Sequence, residues 1–437
     1  MPLAVGIDFG TTNSALAVVD EDGRSRVARF GGPLAAQESE SFRSLLYFHP
    51  DEREPTGRLR PFAGPAGIAR YLEAVGEGRL IQSTKSFLAS RLFTSTSIFG
   101  TVVSLPTLVG WIVRALREAA EERLGPLGAR AVVGRPVRFA NALEERDAEL
   151  ALRRLREALA LAGFREIEFE YEPVGAAHHY ESSLERDELV LIGDFGGGTS
   201  DFSLLRVGPD ARRRGREREI LGTEGVAVAG DAFDAKLVRH LVAPRLGRGA
   251  EFRAFLGSNV LPVPTWLYQH LERWHTLSML KSQKNLQLLH DLRREASAPE
   301  QIAALLHLVE HDLGFHLYRA IERTKLALSR DERAAFRFAD GPLAIEAEVT
   351  RAEFEAWIAD EVAAIAACVD RLLDRVGVAA GAVDRVFLTG GSSLVPVVRR
   401  IFESRFGAER LRSGAEFTSI ASGLALRAAA LGEGGEA

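Results

Sequence analysis

Two stretches of one design, beginning at residues 3 and 189, constrain this chain more than any other feature. The first reads LAVGIDFGTTNSALAVV and the second LVLIGDFGGGTSDFSLLRV. Each runs from an apolar strand through Asp-Phe-Gly and a Gly/Thr/Ser turn into a second apolar strand, the pattern of a β-hairpin with an oxygen-rich tip. Glycine at Gly10 and at Gly196, Gly197 and Gly198 permits positive φ and carries no Cβ, so successive backbone N–H groups can converge on an anion. A nucleotide phosphate is the expected anion. A polyphosphate travels with Mg2+, a hard cation that keeps waters and takes carboxylate neighbours. Asp8 and Asp194 stand at equivalent points of the two turns and are the candidate metal residues. One glycine-rich hairpin is an ordinary tight turn; a matched pair facing each other would grip phosphates from opposite sides.

A chain of 437 residues has room for two to four units with their own cores, and 46% apolar content suits a globular protein. A net charge of −5 offers no footprint for nucleic acid, and no apolar run approaches the ~18 residues of a membrane helix. Met1 leads directly into the first strand, so no signal peptide is expected. The single cysteine, Cys368, allows no internal disulfide, which fits a reducing compartment, and a cytoplasmic location is expected. Of 55 basic residues only Lys85, Lys236, Lys281, Lys284 and Lys325 are lysine. In so arginine-biased a chain, a lysine marks a place that suits a compact ammonium.

After the first hairpin, SFRSLLYFHP reads as strand and residues 50–67 as loop. Apolar positions at helical spacing cover 105–124, GARAVVGRPVRF is a strand stopped at Pro136, and a long helix is predicted over about 144–161. EIEFEYEP then reads as strand and VGAAHHYESSL as helix. The same order begins again after Leu189 with the second hairpin and ends in strand VDRVFLTGG plus helices, so two α/β lobes are expected. Their limits are 1–188 and 189–430, followed by a disordered tail at 431–437. Residues 264–328 read as an all-helical subdomain within the second lobe.

In sequence, GIDFGTTNS, KSFL, RPVRF, YEPVGAA, GDFGGGTSDFS, AGDAFD, ERTKLALS, VTRAEFE and FLTGGSSLVP follow one another. This ordered set resembles the DnaK-like chaperones of the heat-shock protein 70 family, within the actin/hexokinase superfamily of two-lobed ATPases. It is most similar to short YegD-type members that have the nucleotide-binding domain alone. The resemblance implies an α/β fold of duplicated ribonuclease H-like lobes, ATP or ADP with Mg2+ as ligands, and slow hydrolysis of ATP by water. Carried over by position, it places Asp8, Gly10, Thr11, Thr12 and Asn13 on the first phosphate hairpin, and Asp194 with Gly196, Gly197, Gly198 and Thr199 on the second. Lys85 would neutralise phosphate charge, Glu172 would orient the attacking water and Asp201 would assist beside the metal. Thr199 accepts phosphate in relatives. Gly230, Glu322, Lys325 and Ser329, with the turn Gly390, Gly391 and Ser392, would take ribose and adenine; the ERTKLALS spacing shares one helix face.

Departures from that pattern stand out. Leu394 replaces an arginine stacked on adenine, and Phe417 replaces an aspartate. The interval from Asp234 to Glu322 is long, which implies a helical insertion at about 235–320, a candidate surface for a client or co-chaperone. The hydrophobic linker and peptide-binding domain of the chaperones are not found, so clamping of an extended peptide is not expected. An actin-like filament protein, a small-molecule kinase and a nonhydrolytic ATP sensor are the alternative readings of the same superfamily. HLVEH at His307, Glu310 and His311 fits an H-x-x-E-H zinc pattern, in a region holding six of the ten histidines, yet such a pattern arises easily there. The run ARRRGRERE reads as a solvated loop. Trp266, Leu267, Trp274 and Leu277 read as core.

Overall fold

The apolar stretches on either side of each glycine turn are buried almost throughout, and each pair closes as an antiparallel hairpin. Leu3–Phe9 pairs with Asn13–Val19, aligning Asp8 with Ala15. Glu188–Phe195 pairs with Ser200–Val207, aligning Asp194 with Asp201. The computed structural model describes residues 3–31, 38–74, 77–181, 184–209, 219–254, 259–413 and 419–433.

Each hairpin seeds a sheet. In the first, the order is Ser25–Val27, Asn13–Val19, Leu3–Phe9, Leu127–Arg135 and Glu166–Tyr171. In the second it is Glu219–Val226, Ser200–Val207, Glu188–Phe195, Arg385–Thr389 and Leu411–Ser413. Strand directions match position for position: antiparallel through the hairpin and its outer neighbour, parallel from the hairpin's first strand onward. The fold is therefore the duplicated α/β architecture of the actin and heat-shock ATPases.

Side chains alternate across a strand, so the first sheet has two faces to cover. Val5, Ile7, Phe9, Leu16 and Val18 join one core with the stripe Leu105, Leu108, Ile112 and Leu116 of helix Leu105–Leu124 and with helix Glu145–Leu161. On the opposite face Ala15 and Ala17 meet Ala421 and Ala425 of helix Ser419–Glu433. Contact there is backbone to backbone: a Cβ on Gly6 would lie 2.1 Å from the Ala425 nitrogen and 2.4 Å from the Ala421 oxygen. Helix Glu172–Glu181 packs on the second sheet and against Ser419–Glu433, burying Val174, Ala176, Val190, Ile192, Ile420 and Leu424 together. The chain thus exchanges helices between its two sheets.

Contacts divide the chain into a unit of residues 1–229 and 363–437, holding both sheets, and a unit of residues 230–362. The second unit contains helices Gly230–Leu237, Gln283–Glu295, Pro299–Glu310 and Gly314–Arg330 and the two-stranded ribbon Arg333–Asp340 with Leu343–Thr350. Thr350 caps helix Arg351–Trp357 in a reciprocal pairing with Glu353, the reason the ribbon gives way to helix at that point.

Local expectations need correction in places. The stretch 50–67 is not all loop, because Gly64 opens helix Gly64–Glu73 with Pro65 at the N-terminal position that needs no N–H donor. Strand Glu166–Tyr171 ends before Glu172, which already belongs to the following helix, again with proline beside its start. The insertion expected to be helical at about 235–320 also holds a small hairpin, Glu251–Arg253 with Val260–Pro262, ahead of the helices of 264–328. Leu267 and Leu277 are buried, whereas Trp266 is exposed. Helix Ser419–Glu433 continues into the expected tail, whose remaining residues lie outside those described. The arginine-rich run and Phe417 also lie outside the described residues.

Candidate functional site

Hairpin geometry delivers the tips. Gly10 donates its N–H to Ser14 Oγ at 3.2 Å, and Ser14 Oγ shares a proton with Ser44 Oγ at 2.8 Å. A Cβ on Gly10 would lie 2.0 Å from the Asn13 carbonyl oxygen. At the second tip the Gly196 N–H closes the turn on the Thr199 oxygen at 2.9 Å, while a Cβ on Gly198 would meet nothing within 4 Å. None of Gly10, Gly196, Gly197 and Gly198 takes a left-handed φ. Of the two properties of glycine, the missing Cβ is the one used here: close backbone approach explains Gly10, and the space beside Gly198 is open. Thr11, Thr12 and Thr199 are half-buried on these tips, and Asn13 begins its strand opposite Arg43.

Five ionisable side chains, three of them from the two hairpins, lie close enough to shift one another's charge. Lys85, on the short turn Thr84–Phe87, donates to Glu172 Oε1 at 2.6 Å, and both are buried. Burial, then the charge of Glu172, pushes Asp8 up to about 7, with Lys85 pulling the other way. Asp194 rises well above the ordinary carboxylate range through burial, Glu172, Asp8 and Asp201. Asp201 is pushed up to about 7 by burial and Glu172, against a hydrogen bond from Thr199, the charge of Lys85 and the backbone of Arg138. Burial pulls the Lys85 ammonium down, but Glu172, Asp8 and Asp194 outweigh it and hold it above its ordinary value.

Four carboxylates facing one ammonium leave a buried surplus of negative charge, which desolvation makes costly. Such a donor set suits a divalent hard cation. Asp201 Oδ1 is moreover buried without a hydrogen-bond partner. Among the described residues no group of three or more His, Cys, Asp or Glu closes into a ready-made metal cage. Mg2+ does not require one, since it binds through one or two carboxylates, waters and substrate phosphates. The residues present fit it.

The turn Gly390, Gly391, Ser392 follows strand Arg385–Thr389, which pairs Thr389 with Asp194. Gly390 has φ of 86°, and a Cβ there would lie 2.1 Å from the Phe195 oxygen, so the turn lies directly against the second hairpin. Ser393 Oγ fastens it by donating to the Gly390 oxygen at 2.6 Å.

Gly230, Glu322, Lys325 and Ser329 lie in the second unit. Lys325 forms an ion pair with Asp234 at 2.7 Å and reaches the Gly230 oxygen at 3.4 Å, while Ser329 Oγ bonds back to the Lys325 oxygen at 3.1 Å. Asp234 was not singled out from the sequence, although it ends AGDAFD. Its signal is a carboxylate facing inward on a short amphipathic helix, which only the partner lysine makes visible. Burial raises Asp234 to about 6 even against Lys325.

The rings of His307 and His311 lie side by side, their centroids 4.2 Å apart, but both His307 and the glutamate of the pattern are engaged elsewhere. His307 Nε2 contacts Asp340 Oδ1 at 2.8 Å, and Glu310 turns to His290 at 3.4 Å.

These sites sit in a chain with known relatives. It is 25% identical over 446 residues to the chaperone protein DnaK of Thermus thermophilus, covering 99% of this chain and 61% of that protein. DnaK of Deinococcus proteolyticus and of Thermosipho melanesiensis are each 25% identical over 98% of this chain and 59% of their own length. The chain therefore spans about three fifths of the length of these relatives. The family model described as Hsp70 protein matches residues 91–246 and 310–436, leaving 247–309 between its two segments. With more than half of its length so matched, around twin sheets that carry twin hairpins, the chain belongs to the Hsp70 family.

Proposed function

We propose that the chain binds ATP with Mg2+ at the two hairpin tips and hydrolyses it slowly to ADP and phosphate. One observation carries this reading: half-buried Asp8 and buried Asp194, from different hairpins, share a cluster with too few cations. Gly10, Thr11, Thr12 and Asn13 offer donors to phosphate from one side, and Gly196, Gly197, Gly198 and Thr199 from the other. Bound Mg2+, beside Asp8 and Asp194, supplies charge neutralisation on the phosphates.

Lys85 contributes the only ammonium in the cluster and stabilises negative charge as the γ-phosphoryl group leaves. Its bond to Glu172 holds both side chains in place, and the second Glu172 oxygen orients water. Asp201, whose carboxyl is pushed up to about 7 by burial and by Glu172, is suited to accept a proton from that water. No covalent intermediate is required. Thr199 beside Asp201 is the hydroxyl on which a side reaction would deposit phosphate.

We assign the Gly390–Ser392 turn to the nucleoside end, and Gly230, Glu322, Lys325 and Ser329 to ribose and base on the strength of the family resemblance. Loss of the γ-phosphate removes contacts held jointly by tips on two different sheets, so the angle between the sheets follows nucleotide state. The DnaK relatives are named chaperones, and a chaperone-related role, with a client or co-chaperone reading that angle through the helical region, belongs to the same proposal. The test is calorimetric titration of the purified chain with ATP, with and without Mg2+, alongside phosphate release. Mg2+-dependent binding with slow turnover is expected; absence of ATP binding rejects the reading.

A further inference from the structure

Lys85 rides on a short turn that the chain enters through a strained residue. Ser83, at the start of the turn, has φ of 57° without being glycine, a conformation that persists only where surrounding structure over-determines it. Part of that surrounding structure is the first core, which takes in Leu88 and Ala89, and part is the segment 141–154. Arg154, buried in helix Glu145–Leu161, directs Nη1 at the oxygens of Leu88 at 2.8 Å, Ser90 at 2.8 Å and Phe87 at 3.4 Å. Asn141 Nδ2 donates to the Ser86 oxygen at 3.0 Å, and Arg91 Nε meets Asp147 at 2.6 Å. A buried guanidinium spent on main-chain oxygens is an expensive way to hold a loop, and burial accordingly pulls its pKa down. What it holds is the carrier of the cluster's ammonium.

We propose that Arg154 is a positioning residue for Lys85: its guanidinium, gripping the carbonyls of residues 87, 88 and 90, fixes the turn so that the ammonium stays among Glu172, Asp8 and Asp194. The inference deepens the proposed ATPase reading and rests on it for its kinetic arm. Arg154 touches no substrate. It acts through Lys85, and misplacement of a charged group by about 1 Å costs up to ~100-fold in rate.

The experiment compares wild type, Arg154→Met, Arg154→Lys, Lys85→Met and the Arg154→Met/Lys85→Met double variant. Arg154→Met is expected to lower kcat ~10- to 100-fold with KM for ATP changed less than about threefold, and Arg154→Lys to recover part of the loss. The double variant is expected to be no slower than Lys85→Met alone, because both act through one ammonium. Additive losses, or kcat unchanged in Arg154→Met, overturn the proposal.

A second arm needs no turnover. With five lysines in the chain, labelling by trinitrobenzenesulfonate can be assigned by mass spectrometry. Lys85 is expected to label several-fold faster in Arg154→Met, with Lys236 unchanged as internal control, and equal labelling of Lys85 overturns the proposal. Should Arg154→Met not fold, Asn141→Gly removes the tie to Ser86 while keeping its φ of 64° accessible, and the same rise in Lys85 labelling is required of it. A wild type that neither binds nor hydrolyses ATP refutes the proposed function, and the labelling arm still decides the role of Arg154.

Discussion

Lys85 illustrates what single residues show and hide. Its rarity in an arginine-biased chain marks it in the sequence, but the bond to Glu172, 87 positions away, is a product of folding. Lys85→Ala is expected to lower kcat for ATP hydrolysis ~100-fold or more while the Kd for ATP moves only a few-fold, since its charge acts chiefly as the γ-phosphoryl group departs. Unchanged turnover in a steady-state assay contradicts its role. Asp234 makes a second residue-scale case. Its folded pKa of about 6 lies above its unfolded value near 3.8, so the folded state holds the extra proton between these values. Its contribution is therefore complete below about pH 4 and is lost as pH rises through 6, a loss on the order of 2 to 3 kcal/mol. Asp234→Asn is expected to be less stable overall, because Lys325 loses the carboxylate of its ion pair, yet flatter in its denaturation midpoint between pH 4 and 6.5. Identical pH slopes in urea titrations of the two proteins refute this.

At the scale of elements, periodicity did most of the work where a helix or strand has one clear apolar face. Leu105–Leu124 was legible to the residue because its stripe is unbroken and Ser104 caps it by accepting from the Thr107 N–H. Helix Gly64–Glu73 was not, because its Pro and Gly residues read as loop, and its buried Gly67 and Ala69 are too small to mark a face. The role of Gly6 was likewise hidden in a strand whose alternation looked ordinary. There the Ser419–Glu433 backbone occupies the space a Cβ would need. Gly6→Ala is expected to destabilise the chain by about 3 kcal/mol, the upper end of overpacking penalties, because backbone atoms cannot step aside as side chains do. A urea midpoint within error of wild type argues against this contact. Gly10→Ala, which must displace the Asn13 carbonyl, is expected to weaken ATP binding at least tenfold, about 1.4 kcal/mol, with little change in the helices by circular dichroism.

Across the whole molecule, ligand binding couples to stability through the buried negative surplus. A ligand present at a hundredfold excess over its Kd adds about 2.7 kcal/mol to the folded state. Mg·ATP at that excess is expected to raise the first unfolding transition by several degrees in differential scanning fluorimetry, and Asp8→Asn to abolish most of the rise. An equal rise in Asp8→Asn assigns the stabilisation to another site.

The duplicated hairpins, the order of strands and helices and the family could be read from the chain directly, because alternation, helical period and glycine turns are local and survive in one dimension. Which helix covers which sheet, why Gly6 must be bare, that Arg154 braces the Lys85 turn and that Asp234 answers Lys325 were decided only in three dimensions. Each of those joins partners far apart in sequence, and their energies arise from excluded water and close approach, which no local pattern encodes.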